Sequence, residues 1–310
     1  MRLVSDLAIV IVNYNVRDLL RRCLASVLAS KGDLTFETCV VDNASEDRSA
    51  EMVRSEFPTV QLIENSDNVG YPAANNQGLK LLEVQSEAAE KRPRYCLLLN
   101  PDTEVPPDGF ARLLAYMDEH EDIGVIGPKL LLPDGSLDLA CRRSFPTPEV
   151  SSYRMLGLSR AFPRSRRFGR YNMTYLDENE IADVDSVVGA FMMVRTKALE
   201  NVGLLDERFW MYGEDLDWAK RIKDSGWRVV YYPEVEVQHV KRASSRQSKR
   251  AQHEFYRAML IFYYKHYRAD TPVPLHLMIM TGLAVKGGLQ LAPLIAQGSD
   301  VLLNGKSPEV

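Results

Sequence analysis

Three acidic residues follow a run of aromatic residues late in this 310-residue chain, and this arrangement could support proton transfer. A carboxylate held beside aromatic walls is a candidate general base. Apolar residues at helical spacing after position 215 predict that Asp215 lies near the start of a helix, with Glu214 beside it. A helix N-terminus favours the ionised form of such an acid, whereas a neighbouring carboxylate favours the protonated form. Simple capping of the helix is the alternative interpretation.

A second candidate group is the acid in Asn100-Pro101-Asp102, which follows an apolar strand. Hard cations such as Mg²⁺ usually bind through one or two carboxylates together with the phosphates of a substrate. Asp102 and a diphosphate would therefore suffice, and His239 is the candidate second ligand. Because imidazole suits Mn²⁺ better than Mg²⁺, the sequence predicts a divalent metal of either kind. A turn role for the acid and a structural role for the histidine are the alternatives.

Polar side chains also follow the first two predicted strands. The first strand ends in Asn13, Tyr14 and Asn15, and the second ends in Asp42 and Asn43. A carboxylate in such a place can accept a hydrogen bond from the N3–H of uracil or thymine, or from a ribose hydroxyl. Asx residues also favour turns and helix caps, so this pattern alone leaves both interpretations open.

The loop at 65–78 is rich in side-chain amides and small residues, including Asn68, Gly70 and Asn76. Small residues allow a ligand to approach closely, and amides can donate to a phosphate or a base. The loop matches neither the dinucleotide-binding nor the P-loop glycine pattern. An ordinary loop that leads into a helix is the alternative.

These groups are positioned by strands that alternate with helices, which predicts a mostly parallel central sheet flanked by helices. Ligands of such sheets bind beyond the carboxyl ends of the strands. Ser45 is the expected N-cap of the second helix. Early strands are predicted at 7–12, 38–41, 60–64 and 95–99, helices at 18–29, 45–57 and 75–83, and later elements at 185–195, 216–225, 227–232 and 251–268.

Charge divides the chain unevenly. Residues 241–310 contain 10 Lys and Arg against 4 Asp and Glu, net +6, and because the whole chain carries −4, residues 1–240 carry −10. A basic tail on an acidic body favours an anionic partner, with an ordinary solvated helix face as the alternative. The arginine-rich stretch at 143–184 is interpreted as a mobile or partner-binding excursion. Four widely spaced cysteines without a CxxC pair argue against zinc and favour a reducing compartment.

The N-terminal apolar run is too short for a signal peptide, which predicts a cytoplasmic protein. The apolar segment at 276–297 is long enough to span a bilayer, but Lys286, its glycines and Pro293 argue against spanning. A helix that lies on the inner face of the cell membrane fits this pattern. Packing on the catalytic domain, or on a second subunit in a homodimer, fits it equally well.

Taken in order, the motifs resemble those of inverting glycosyltransferases of family 2, in the rhamnosyltransferase-like subgroup. The resemblance covers about residues 5–240. It implies the GT-A nucleotide-diphospho-sugar transferase fold with a helical C-terminal extension. The matching segments are IVIVNYN at 9–15, VVDNASED at 40–47, NVGYPAANNQG at 68–78, LLLNPDTEVPP at 97–107, IGPKLLLPDGS at 126–136, VGAFMMVR at 188–195 and GLLDERFWMYGEDLDWAKRIKDSGWRVVYYPEVEVQH at 203–239.

The resemblance implies a catalytic domain at 1–240, with a nucleotide-binding half at 1–130 and an acceptor half at 131–240, followed by the extension at 241–310. The implied reaction moves a sugar, with L-rhamnose from dTDP-rhamnose expected, onto a glycan or lipid-linked acceptor in bacterial polysaccharide or cell-wall synthesis. Nucleic acid is not an expected partner. Assigned roles are nucleotide binding by Asn13, Tyr14, Asn15, Asp42, Asn43, Asn68, Gly70, Asn76 and Asp102, metal binding by Asp102 and His239, catalysis by Asp215 with Glu214, and acceptor binding by Trp210 and Trp218.

The chain departs from its relatives after His239, where Val240-Lys241-Arg242 replaces a His-Gly-Gly sequence. A UDP- or GDP-sugar donor remains an alternative. A sugar-1-phosphate nucleotidyltransferase would need a glycine-rich basic loop where Asn13 stands, which disfavours it. A catalytically silent carbohydrate-binding relative is the alternative from another class.

Overall fold

A mixed sheet of nine strands forms the centre of the structure, a computed structural model that describes residues 5–241, 249–287 and 295. The strands lie in the order β3-β2-β1-β4-β8-β6-β9-β5, and β7 pairs with β9. They are β1 (Leu7–Asn13), β2 (Phe36–Asp42), β3 (Gln61–Glu64), β4 (Tyr95–Leu99), β5 (Thr103–Glu104), β6 (Ile123–Leu131), β7 (Ala182–Asp183), β8 (Phe191–Arg195) and β9 (Arg228–His239).

Helices flank this sheet, as the alternating pattern predicts. Their apolar faces join the strands in the core: Leu20, Leu24 and Val27 of the first helix are buried, as are all residues of β1. The helices are α1 (Arg17–Leu28), α2 (Ser49–Glu56), α3 (Tyr71–Leu81), α4 (Gly109–Glu119), α5 (Pro148–Met155), α6 (Leu158–Ala161), α7 (Glu214–Asp224), α8 (Lys249–His266) and α9 (Val273–Gly287).

The sheet is less parallel than the sequence predicts. Strands β3, β2, β1 and β4 are parallel neighbours, but β8 runs antiparallel to both β4 and β6. Strand β9 is parallel to β6 and antiparallel to β5 and β7. The alternation of strands and helices that favours parallel pairing stops after β6, because no simple strand–helix–strand unit links β6 to β8.

Strand register brings the predicted site residues to one edge of the sheet. Asn13 lies opposite Asp42 in the parallel pair β1–β2. Thr103 lies opposite His239 in the antiparallel pair β5–β9, and the Val240 amide donates to the Asp102 carbonyl. The backbone therefore fixes each pair of polar residues before any side chain contributes.

The predicted N-cap role of Ser45 is wrong. Helix α2 begins at Ser49, four residues later, after Arg48 adopts a left-handed conformation with φ 65°. The Ser45 hydroxyl instead accepts hydrogen bonds from the Asn13 side chain at 3.1 Å and from the Asn15 amide at 2.9 Å. Residues 43–48 thus form a loop tied to the end of β1.

Helix α8 packs on the preceding part of the chain. Lys265 and His266 both contact the buried carboxylate of Asp217 at 2.7 Å. Tyr263 of α8 hydrogen-bonds to His276 of α9 at 3.0 Å. No helix within the described residues is long and apolar enough to cross a membrane. The predicted apolar segment beyond position 287 lies, apart from residue 295, outside the described residues.

Candidate active site

The ends of β1 and β2 form a small network of polar side chains. The Asn13 amide donates to Asp42 Oδ1 at 2.8 Å, and Asp42 Oδ2 accepts from the Ser45 backbone amide at 2.9 Å. Asn13 Oδ1 is buried without a hydrogen-bond partner, which is costly unless a ligand donates to it. An ionised carboxylate has about four acceptor sites, so Asp42 can still accept from a bound molecule.

The loop before α3 is held beside this network by side-chain amides. Asn43 donates to the Gly70 carbonyl at 3.3 Å and to Asn68 Oδ1 at 3.4 Å, and Asn68 Oδ1 accepts from the Gly70 amide at 3.1 Å. Gly70 has φ +89°, and a Cβ there would lie 2.6 Å from Trp210 Cδ1. Only glycine therefore fits at this position. Asn43, Asn68 and Gly70 form one structural unit beside Asp42.

Tyr14 and Asn15 lie at the mouth of this region. Tyr14 is 42% exposed, so its ring is free to meet a ligand. Asn15 has φ 53°, and its Oδ1 accepts from the Glu46 amide at 2.7 Å, which ties the two loops together. The region at the ends of β1 and β2 thus combines one exposed aromatic ring with buried polar groups.

Asn76 occupies a different environment from the other predicted nucleotide contacts. It is buried in α3, where its Nδ2 donates to the Leu205 carbonyl at 2.9 Å and to Glu207 at 2.8 Å, and its Oδ1 accepts from the Leu205 amide at 3.1 Å. Its amide thus joins α3 to the loop before α7. Because these bonds engage both polar atoms of the side chain, we expect a structural role for Asn76 in place of the predicted nucleotide contact.

Replacing Asn76 by Ala is expected to lower the melting temperature and leave nucleotide affinity nearly unchanged. The change leaves the buried amide and carbonyl of Leu205 unpaired, and each such group costs about 1–3 kcal/mol. Thermal unfolding with and without a nucleoside diphosphate measures both effects, with the exposed Asn201→Ala as the control. A variant that melts normally but no longer binds nucleotide would place Asn76 in the nucleotide site.

A second cluster forms around His239 at the end of β9. Its Nε2 lies 3.4 Å from Asp102 Oδ1, and its Nδ1 lies 3.0 Å from Asp138 Oδ2. Burial opposes the charged imidazole, but the contacts with the two carboxylates outweigh it and raise the pKa of His239 to about 9. Burial would raise the pKa of Asp138, but hydrogen bonds from His239 and Lys241 hold it below its usual range.

The donor set of this cluster fits a divalent cation. Asp102 Oδ1 is buried and accepts no hydrogen bond. It faces an imidazole whose other nitrogen contacts a carboxylate, and such an outer carboxylate is the usual partner of a metal-binding histidine. Within the described residues no group of three or more His, Cys, Asp and Glu side chains could hold an ion by itself. A bound diphosphate would therefore have to supply the remaining oxygens.

Asp215 lies at the start of α7, as predicted, and is held there by three donors. Its Oδ2 accepts from Arg143 Nη2 at 2.7 Å and from the Gly189 amide at 2.9 Å, and its Oδ1 accepts from the Leu216 amide at 2.7 Å. Both side chains of the Arg143–Asp215 pair are less than one-tenth exposed. Of the four acceptor sites of a carboxylate, one on Oδ1 remains. The ion pair thus fixes a carboxylate that has room for one further donor.

Glu214 is buried beside Asp215 but lacks such partners. Its Oε2 has no hydrogen-bond partner within the described chain. Burial and then the charge of Asp215 raise the pKa of Glu214 to about 8. Near neutral pH the two neighbours therefore differ, since Asp215 is ion-paired and Glu214 retains its proton.

Replacing Glu214 by Gln is expected to stabilise the protein relative to the wild type as pH rises. A raised pKa in the folded state means that the wild type loses stability between the unfolded value of 4.5 and about 8. Each pKa unit corresponds to about 1.4 kcal/mol, so the gain is on the order of a few kcal/mol. Melting curves at about pH 5 and about pH 8 measure it. The exposed Glu121→Gln is the control, and equal pH dependence in all three proteins would contradict this ionisation state.

Tyr71 joins the two acidic groups. Its hydroxyl lies 2.9 Å from the Gly189 carbonyl and 3.2 Å from Asn100 Oδ1, two acceptors that share its single proton. The Gly189 amide in turn binds Asp215. Burial, followed by the charges of Glu214, Asp215 and Asp102, raises the pKa of this phenol. The structure therefore links Asn100-Pro101-Asp102 to Asp215 through Tyr71 and Gly189.

The two predicted acceptor-binding tryptophans lie in different places. Trp218 is completely buried and donates its Nε1–H to the Gly203 carbonyl at 2.9 Å, so it belongs to the core and cannot contact an acceptor. Trp210 is partly exposed, and its carbonyl accepts from the Tyr71 amide at 2.8 Å. Trp218 and the apolar Ile222 are four residues apart in the sequence, and this spacing already indicated that both lie on the buried face of the helix.

Three groups in the site were not predicted from the sequence: Tyr71, Asp138 and Arg143. Tyr71 stands inside the loop segment that resembles the family, and Asp138 follows a Pro-Asp-Gly turn. Arg143 opens the arginine-rich stretch, where charge alone gave it no distinct role. Tyr71 and Asp138 could have been found from the sequence, because they lie in or beside the motifs that match the family.

Comparison with known proteins agrees with this geometry. The family model described as glycosyl transferase family 2 matches residues 8–203. The N-acetylglucosaminyl-diphospho-decaprenol L-rhamnosyltransferase of Mycobacterium tuberculosis is 30% identical over 241 residues, which are 77% of this chain and 77% of that protein. The low-salt glycan biosynthesis hexosyltransferase of Haloferax volcanii is 28% identical over 223 residues, 71% of this chain and 62% of that protein.

Solved structures share the fold at low sequence identity. The mannosyltransferase PcManGT from Pyrobaculum calidifontis, in complex with GDP-Man and Mn²⁺, aligns with a TM-score of 0.54 at 15% identity and covers 97% of this chain and 81% of that one. S. aureus TarS aligns with a TM-score of 0.55 at 16% identity, over 97% of this chain and 75% of that one. The GT-A fold predicted from the sequence is confirmed.

The fold is of the GT-A class. The chain belongs to glycosyltransferase family 2 and is rhamnosyltransferase-like within it.

Proposed function

We propose that this protein transfers L-rhamnose from dTDP-rhamnose to an acceptor hydroxyl with inversion at the anomeric carbon. The observation that carries the proposal is the Tyr71 bridge, which joins Asn100 of the metal-type acid motif to Gly189 and, through the Gly189 amide, to Asp215. A single-displacement transferase needs both groups near one site, so that the diphosphate can depart as the base acts. The name of the M. tuberculosis relative supports the choice of sugar.

In this proposal the nucleotide lies over the ends of β1 and β2. The unpaired Asn13 Oδ1 and the free acceptor capacity of Asp42 suit the N–H of a pyrimidine base or a ribose hydroxyl. Exposed Tyr14 can stack on the base. Asn43, Asn68 and Gly70 shape the adjacent wall and keep the backbone close to the ligand.

Asp102 and His239 would hold a divalent cation against the diphosphate, with Asp138 orienting the imidazole. Such an ion, Mg²⁺ or Mn²⁺, stabilises the negative charge that develops on the leaving nucleoside diphosphate. The solved PcManGT complex contains Mn²⁺, which supports an ion of this kind here.

Asp215 acts as the general base in the proposed reaction. It takes the proton of the acceptor hydroxyl as that oxygen bonds to the anomeric carbon, while the bond from that carbon to the diphosphate oxygen breaks on the opposite face. Arg143 and the Gly189 amide hold the carboxylate in position. Buried and protonated, Glu214 adds no second negative charge beside it. No covalent intermediate is needed.

The acceptor in this proposal is a glycan or lipid-linked sugar of bacterial polysaccharide or cell-wall synthesis. Support comes from the diphospho-decaprenol acceptor in the name of the M. tuberculosis relative. The corresponding location is the inner face of the cell membrane. The proposed division of the chain places the catalytic domain at 1–240 and the extension at 241–310.

Nucleotide release from a panel of donors tests the function. The purified protein is incubated with dTDP-rhamnose, UDP-sugars or GDP-sugars, with Mg²⁺, Mn²⁺ or a chelator, and the released nucleotide is measured. Metal-dependent release from dTDP-rhamnose above the other donors is expected, and the same donor should raise the melting temperature most. Faster turnover of a UDP- or GDP-sugar would replace the proposed donor. Binding without turnover of any donor, with acceptor present, would indicate a silent carbohydrate-binding relative.

A further inference from the structure

Helix α9 is mostly apolar, yet one of its sides is exposed. Lys286 is the one charged residue of this helix. Met280 and Leu283 are buried against the rest of the protein, whereas Leu277 is 59% and Val285 is 77% exposed. The apolar faces of helices are normally buried. The exposed side of α9 consists of Val273, Leu277, Met278 and Val285, with Thr281 as its one polar residue, and it therefore calls for a covering partner.

A strongly basic surface comes from the segment that carries α5 and α6. Between 148 and 176 the chain has six arginines and one acid, Glu149. One of the arginines, Arg167, pairs with Glu149 at 3.3 Å. Within the described chain the exposed residues Arg160 and Arg164 form no ion pair. We call this group the arginine rim, and it consists of Arg154, Arg160, Arg164, Arg166, Arg167 and Arg170.

Helix α5, which carries Arg154 of the arginine rim, contacts α9. A Cβ at Gly282 would lie 2.2 Å from Met155 Cε, so the end of α5 packs directly on α9 at this glycine. Gly282 is four residues after Met278 and three before Val285, which places it at the margin of the exposed side. Leu156, the next residue of the α5 segment, is 74% exposed and extends the apolar area.

The arginine rim also encloses a cleft of about 410 Å³. Three guanidinium groups line it together with the apolar Val150 and the ring of Tyr153, over which Arg167 lies at 5.5 Å. Guanidinium groups bind phosphates through paired hydrogen bonds. The cleft is lined by Glu149, Val150, Tyr153, Arg166, Arg167 and Arg170.

We propose that the exposed side of α9 and the arginine rim together form a surface that docks on an anionic bilayer. The apolar side chains of α9 enter the boundary between headgroups and acyl chains, and the arginines bind lipid phosphates. A second copy of the chain suits this surface less well, because a two-fold interface would bring the two arginine rims together. The inference rests on the proposed function in one respect: docking would give the enzyme access to a lipid-linked acceptor.

The docking surface is connected to the proposed base by a short path. Arg154 lies over the Tyr171 ring at 4.2 Å, and the Tyr171 carbonyl accepts from the Ser144 amide at 2.8 Å. The preceding residue, Arg143, binds Asp215. The arginine rim and the proposed base are thus linked through Tyr171, Ser144 and Arg143.

Vesicle flotation of the full chain tests the proposal. Vesicles of phosphatidylcholine alone are compared with vesicles that also contain phosphatidylglycerol, at about 0.1 M and about 1 M salt. The wild type is expected to float with anionic vesicles at low salt and to be released at high salt. Because each basic residue near the surface contributes about 1 kcal/mol, Arg160→Glu with Arg164→Glu should weaken partitioning about tenfold or more. Leu277→Ser with Met278→Ser should weaken it at both salt concentrations.

The control variants carry matched changes elsewhere on the surface, Lys31→Glu with Lys197→Glu and Leu81→Ser, and should float like the wild type. Both lysines are exposed and form no ion pair within the described residues. Equal loss in control and surface variants, or no preference of the wild type for anionic vesicles, would overturn the proposal. So would a dimer in solution that Leu277→Ser with Met278→Ser converts to a monomer without changing flotation. Nucleotide release by the same surface variants should stay unchanged, which separates failure of this surface from failure of the proposed transfer reaction.

Discussion

Replacing Asp215 by Asn is expected to reduce sugar transfer about 10²- to 10⁴-fold, the usual contribution of a general base. The amide cannot take the acceptor proton, although it fills the same volume. Nucleotide binding should persist, because Asp215 is linked to the metal-type motif indirectly, through Gly189 and Tyr71. Transfer rates with saturating donor and acceptor, together with nucleotide affinity by calorimetry, measure the two effects.

The buried partner of Asp215 makes a stability control necessary. Removing one member of a buried ion pair costs about 3–5 kcal/mol, and Asp215→Asn leaves Arg143 without its carboxylate. Loss of transfer therefore counts only at temperatures where the variant is folded by circular dichroism. Asp224→Asn is the matched control, because Asp224 is exposed at the other end of α7. A folded Asp215→Asn protein with near-normal turnover would remove Asp215 from the role of base.

The resemblance and the strand pattern together predicted the first half of the sheet well. Strands such as Leu7–Asn13 are buried on both faces and appear in the sequence as unbroken apolar runs, which is typical of parallel sheets. The antiparallel position of β8 could not be predicted in this way, because Phe191–Arg195 has the same apolar composition as a parallel strand. Which neighbour it pairs with depends on the path of the preceding chain.

Polar residues at strand ends were easier to predict than the groups that hold them. Asp102 directly precedes β5 and His239 ends β9, and the register of these two strands brings them together. Arg143, in contrast, meets Asp215 across 72 positions of sequence, and no periodic pattern reports such a contact. Trp218 was predicted to bind the acceptor because of its residue type, but it is completely buried in the core. Its helical spacing was the better guide to its position.

Replacing Asp102 or His239 by Ala is expected to abolish the effect of Mn²⁺ on nucleoside diphosphate binding. Each variant removes one of the two side chains that would join the ion to the protein, so affinity with Mn²⁺ should fall to its value in a chelator. Asp138→Asn should have a smaller effect of about 10- to 100-fold, because it only orients the imidazole. Calorimetric titration with and without Mn²⁺ measures each case.

The order of these effects is what identifies the roles of the three residues. If Asp138 supports the metal-binding form of His239, the effect of Mn²⁺ on nucleotide affinity in Asp138→Asn must be smaller than in the wild type and larger than in His239→Ala. Asp134→Asn is the control, because Asp134 is exposed in the same turn and contacts Ser136 instead. Unchanged metal dependence in His239→Ala would make the histidine a structural partner of Asp102 and Asp138. The ion would then depend on Asp102 and the diphosphate alone, which is chemically sufficient for Mg²⁺.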